Sequence, residues 1–178
     1  LKIHIDDIHE GGMTVQAETN TSPWFKDLLI EVLGANKIKE NDNGRLDIQL
    51  FKSGKNVTII GGAILKFHPS CDRCLEVFQK QEQVPIHQVI LPFREQAGKK
   101  KEDTEDEDIG YYKNDEIELG DIVKEYIILA QGMVNLCSKN CKGLCPKCGK
   151  NLNNGSCKCK MEKNERESPF AVLKKIPS

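Results

Sequence analysis

Cysteine is the residue whose spacing carries chemistry in this chain. Six of its eight cysteines lie between Cys137 and Cys159, in C-S-K-N-C-K-G-L-C-P-K-C-G-K-N-L-N-N-G-S-C-K-C. The other two form C-D-R-C at Cys71 and Cys74. Two residues between thiols let both sulfurs converge on one tetrahedral ion, as structural zinc requires. In Cys145-Pro146-Lys147-Cys148-Gly149, proline fixes one backbone angle of the turn and glycine accepts the positive φ that follows. The pair at Cys71 and Cys74 lacks that glycine, because Leu75 occupies its place. Four thiol pairs imply two ions of four ligands each, with Cys71, Cys74, Cys137, Cys141, Cys145, Cys148, Cys157 and Cys159 as candidate metal ligands. Spacing favours Cys145, Cys148, Cys157 and Cys159 as a local quartet. Cys71, Cys74, Cys137 and Cys141 then close a second site across a long stretch of chain. A ribbon joining Cys71 and Cys74 to Cys145 and Cys148 is the alternative. Only one residue separates Cys157 from Cys159, an unusual spacing that leaves one of them in question as a ligand. His68, three residues before Cys71, is either a substitute ligand or a strand-surface histidine. Zinc is favoured over an iron–sulfur cluster, because knuckle spacing and a flanking glycine are what zinc sites use.

The composition narrows the function classes. The start, L-K-I-H-I-D-D-I, has no apolar signal-like run, so a cytoplasmic setting with metal thiolates is expected rather than exported disulfides. No run of about 18 apolar residues is present, so no membrane span is expected. There is no phosphate loop, no paired Ser/His/Asp pattern and no H-E-x-x-H, and His4, His9, His68 and His87 are scattered. A metal with four sulfur ligands leaves no open position for a small-molecule substrate. A non-enzyme is therefore expected. A CxxC thiol oxidoreductase is the enzymatic alternative, weakened because that motif normally opens a helix.

Net charge is −1 but unevenly placed. Ten Asp/Glu face four Lys from Glu95 to Glu118, and ten Lys/Arg face three Glu from Cys137 to Ser178. Lys139, Lys142, Lys147, Lys150, Lys158 and Lys160 are candidate phosphate contacts, although each four-thiolate zinc carries a formal −2 against them.

The elements that position these groups are legible in outline. Hydrophobic residues make up 38% and aromatics 6%, a modest core that bound metal would supplement. Residues 1–94 read as a mostly antiparallel β domain with one helix over 22–34, opened by Ser22-Pro23 and closed by Gly34. Leu1 to Glu18 reads as two short strands and a turn. Arg45–Lys52 and Val57–Phe67 alternate with period two, and an extended pattern resumes towards Phe93, so Cys71 and Cys74 fall at a hairpin tip. The Gly61-Gly62 pair marks a bulge or a close backbone approach. Residues 95–118 form an acidic charged loop. Residues 119–136 form a helix on the sheet, its apolar stripe running from Leu119 to Val134. Residues 137–161 are the Cys-rich zinc module. Residues 162–178 are a tail with a short amphipathic helix that either docks on its own domain or offers Phe170 as a partner contact. The fold class is α+β, an antiparallel sheet covered by helices with the zinc module at its C-terminal end.

Laid out in order, C-D-R-C-L-E-V-F, E-L-G-D-I-V-K-E-Y-I-I-L-A, the six-cysteine segment and S-P-F-A-V-L-K-K resemble the YceD family. Those bacterial and plastid proteins are linked to accumulation of large-subunit ribosomal RNA. The likeness runs from about Arg45 to the C-terminus. It implies a non-catalytic factor whose partner is ribosomal RNA or a large-subunit ribosomal protein. It also implies that counterparts of Cys71, Cys74 and Cys141 persist in members lacking the later knuckle, with a histidine near the place of Cys137. A zinc-stabilised protein adaptor that never touches RNA is the other non-catalytic reading.

Overall fold

The computed structural model describes residues 1–39, 42–93 and 109–159. Lys160, Phe170, the tail helix and most of the acidic loop lie outside the described residues. In chain order the elements are β1 (Ile3–His4), β2 (Met13–Glu18), α1 (Pro23–Leu33), β3 (Arg45–Ser53), β4 (Asn56–Phe67), β5 (Lys80–Pro92), β6 (Ile109–Tyr112), β7 (Glu116–Ile117) and α2 (Leu119–Ala130).

Alternation builds the sheet. Leu46, Ile48 and Leu50 on β3, Val57, Ile59 and Leu65 on β4, and Val84, Ile86 and Ile90 on β5 all point to one buried face. The opposite face meets solvent, where Ile60 and Ile64 are half exposed. The order is β2-β3-β4-β5-β6. Pairing is antiparallel from β2 to β5, while β6 joins β5 in parallel. The α+β class holds, and the expected antiparallel sheet carries one parallel edge strand.

Both helices supply the apolar residues that close the buried face. Ser22 stands at the N-cap position of α1 without a side-chain capping bond, Pro23 takes its first position, and Gly34 ends it at φ 95°. Phe25, Leu28, Leu29 and Leu33 are buried from α1, and Leu119, Val123 and Ile127 from α2, the last three at i, i+4 and i+8. The second helix stops at Ala130, earlier than its apolar stripe suggests, and Met133 and Val134 lie exposed beyond it. The N-terminal segment also departs from a simple hairpin. After β1 the chain enters a 3-10 turn over Ile5–Asp7, and β1 pairs with β7 in a separate two-stranded sheet. Ile3, Ile5 and Ile8 are buried along that path, and the Ile5 N–H donates to the Asp115 carbonyl at 2.9 Å.

At Gly61 the glycine pair is a close approach. A Cβ there would stand 2.2 Å from the Asp47 carbonyl oxygen of the neighbouring strand. Beyond the ends of β4 and β5 a second, smaller buried cluster forms, in which Cys71, Cys74 and Cys141 pack with Phe78, Leu136, Cys137 and Leu144.

Candidate metal centres

The two CxxC segments fold into the same local structure. In the first, the Cys71 N–H donates to the Glu76 carbonyl at 2.9 Å, and the Leu75 N–H donates to the Cys71 carbonyl at 2.8 Å. In the second, the Cys145 N–H donates to Lys150 O and the Gly149 N–H to Cys145 O, both at 2.9 Å. Antiparallel bridges flank each turn, Ser70 with Val77 and Leu144 with Asn151. Leu75 adopts φ 61° and Gly149 adopts φ 70°. The leucine that replaces the expected glycine takes the glycine's conformation.

Three further segments bring the remaining thiols in. Past α2, Asn135 and Asp72 clasp each other: Asp72 N–H donates to Asn135 O at 2.9 Å, and Asn135 N–H to Asp72 Oδ2 at 2.6 Å. That contact delivers Cys137 and Cys141 to the first knuckle. Arg73 then holds the next stretch, its Nη1 donating to Cys141 O at 3.2 Å and its carbonyl accepting from the Leu144 N–H at 3.1 Å. Finally a 3-10 turn over Leu152–Asn154 reverses the chain toward Cys157 and Cys159.

The sulfurs fall into two groups of four. Those of Cys71, Cys74, Cys137 and Cys141 lie within 4.8 Å of one another, as do those of Cys145, Cys148, Cys157 and Cys159. This is the local-plus-long-range division, not the ribbon between the two knuckles, and both Cys157 and Cys159 enter the second group. All eight are free thiols. Zinc bound to four sulfurs at about 2.3 Å sets the sulfurs about 3.8 Å apart along each tetrahedral edge. Here Cys71 and Cys141 are 3.7 Å apart, Cys74 and Cys137 3.6 Å, and Cys145 and Cys157 3.4 Å. A disulfide would need about 2.05 Å. The donor set and its spacing fit a four-coordinate ion in each group. The first group is buried apart from half-buried Cys137, whereas the second is open at Cys148 and half-buried at Cys157 and Cys159.

The electrostatics are unequal within each group. Burial raises the Cys71 thiol, but backbone N–H groups of Cys137, Cys74 and Arg73 outweigh it and bring the value down to about 6. Backbone N–H groups of Cys148 and Lys147 hold Cys145 at about 6 as well. Cys137 is pushed up to about 12 by burial and by the neighbouring Cys141 sulfur. Cys159 is pushed up to about 12 by Cys148 first and burial second. In each group one knuckle thiol is prepared as a thiolate, and a bound cation would take the proton's place on the others.

His68 joins neither group. Its Nδ1 sits 2.9 Å from Oδ2 of the buried Asp42, which also accepts the Lys39 N–H at 2.8 Å. Lys139, Lys142, Lys147, Lys150 and Lys158 are exposed. Neither CxxC pair opens an α-helix. Sequence reading missed Asn153, whose Nδ2 donates to Cys141 Sγ at 3.3 Å. Nothing in the composition of N-L-N-N points at a sulfur 12 residues back.

No curated protein and no solved structure matches the chain. A family model described as large ribosomal RNA subunit accumulation protein YceD matches residues 65–176, from the end of β4 through both sulfur groups. That match covers well over half of the 178 residues, and the chain belongs to the YceD family.

Proposed function

We propose that this chain is a non-catalytic, zinc-stabilised cytoplasmic factor that supports accumulation of the large ribosomal subunit by binding ribosomal RNA through a basic surface. Family membership supports the ribosomal role. The RNA contact is carried by one observation: Lys139, Lys142, Lys147, Lys150 and Lys158 are all exposed within the segment that supplies six of the eight thiols. Two zinc ions would cross-link that segment to itself and to the β4–β5 hairpin, which makes the lysine array rigid. Four thiolates around each ion leave no position for a substrate, so the metal serves structure. Single-stranded bases want aromatic platforms, which are scarce here, so contacts to phosphates are the mode expected.

A filter-binding titration of ribosomal RNA against salt tests the reading. Affinity should fall linearly on a log–log plot, and each phosphate-contacting lysine changed to alanine should flatten the slope by about one. A salt-independent response, or no binding by metal-loaded protein, would count against it. One observation favours a protein partner instead: Leu129, Met133 and Val134 are strongly exposed beside the module. Partners that survive ribonuclease and depend on these residues or on Phe170 would select the adaptor.

A further inference from the structure

The two sulfur groups are physically joined by the turn over Leu152–Asn154. That turn belongs to the second group by sequence, lying between Cys148 and Cys157, yet its side chains reach the first. Asn153 Nδ2 donates to Cys141 Sγ at 3.3 Å, while its Oδ1 accepts the Lys142 N–H at 2.8 Å. Its own N–H is held by Asn151 Oδ1 at 2.9 Å, which fixes the turn. Leu152 N–H donates to Gly143 O at 2.9 Å, and Asn154 Nδ2 donates to Glu76 Oε1 at 3.2 Å, beside the first knuckle. At Gly143 a Cβ would come 3.1 Å from the Arg73 carbonyl, so the segment between Cys141 and Cys145 lies against that knuckle.

We propose that Asn153 is a positioning residue that couples the two metal sites, so that an ion in the second group tightens the hold of the first on its own. This rests on the reading of both groups as metal sites. An amide N–H aimed at a thiolate stabilises its negative charge and fixes the sulfur's direction, as outer partners of metal ligands do. The amide is in place only while the turn is folded, and closing Cys145, Cys148, Cys157 and Cys159 on an ion folds it. The coupling is reciprocal, because the same contacts tie the turn to an ordered first group.

The test uses the full reduced chain loaded with Zn2+, challenged with graded chelator, and read by alkylation of each cysteine by mass spectrometry. Asn153→Asp keeps the acceptor for Lys142 but cannot donate to sulfur. It should expose Cys71, Cys74, Cys137 and Cys141 at about 10–100-fold lower chelator and, by the same reciprocity, shift Cys145, Cys148, Cys157 and Cys159 in the same direction. Breaking the second group with Cys148→Ser and Cys159→Ser should weaken the first by a similar factor. Adding Asn153→Asp to that chain should then change little. Co2+ loaded into the same chains gives a second readout, a shifted thiolate-to-metal absorption band in Asn153→Asp. First-group protection equal to wild type overturns the proposal. So do fully additive effects. A wild-type chain that takes up no metal at all would instead sink the metal reading beneath it.

Discussion

Leu75 occupies the left-handed region at φ 61°, where an L-residue with a Cβ is strained by about 1–2 kcal/mol. The closing hydrogen bond from its N–H to Cys71 O needs that angle, as the equivalent bond at Gly149 does. Its side chain is largely exposed and contributes little burial. Leu75→Gly should therefore raise stability by about 0.5–1 kcal/mol, the strain relieved less the freedom gained by the unfolded chain. A higher urea midpoint at unchanged slope is the expected result. The metal motif was legible from Gly149 and obscured at Leu75, because a sequence shows which residue suits a conformation and not which one endures it. The thiols give a second prediction at this scale. Cys71 and Cys145 are lowered from 9.0 to about 6. A depressed value stabilises the fold fully above the unfolded pKa, and that contribution is lost as pH falls through the folded one. Metal competition with protons has the same sign. Zinc release, followed with a colorimetric chelator, should set in as the pH drops through about 6 and lower, not on the alkaline side.

Among the elements, the strands with strict period two were readable from end to end, since Leu46, Ile48 and Leu50 admit one buried face and no other. The misread elements had no period to read. β1 and β7 are two residues each, and their pairing is set by contacts more than a hundred positions apart. The end of α2 was misjudged for the opposite reason: apolar spacing continues through Met133 and Val134, but the backbone turns extended at Gln131. β4 offers the sharpest test of an element. Gly61 has φ 149° and no room for a Cβ against Asp47 O. Gly61→Ala should force β3 and β4 apart and destabilise the chain by about 3 kcal/mol or more. Thermal unfolding should show a loss of that order, whereas Gly54→Ala at the open hairpin turn, strained at φ 62° but free of any clash, should cost less.

At the scale of the molecule, the described residues form two hydrophobic clusters. The large one joins sheet and helices, and the small one is built around Cys71, Cys74 and Cys141. The large cluster contains none of the thiols, so its stability does not depend on metal in the first instance. Chelation should melt residues 137–159 and the knuckle at the β4–β5 tip while the sheet persists. Hydrogen exchange should show amide protection lost at Cys71, Leu75, Cys145 and Gly149 and kept along β3 and β4. Protection unchanged at the knuckles, or lost throughout, would refute this division. Sequence spacing found the thiol groups but not this separation, because it cannot show that the Asp72–Asn135 clasp brings the chain beyond α2 to the first knuckle. The parallel join of β6 to β5 has a consequence of a different kind. Ile109 is level with Val89, three residues back from the end of β5, so the return path is about 10 Å long with one sideways step of about 4.8 Å. Sixteen residues, 93–108, separate the two strands, enough to stretch about 50 Å. The connection is therefore several times longer than the gap it bridges, and chain closure grows costlier only with the logarithm of length. A change in the number of residues in that connection should therefore cost the fold little.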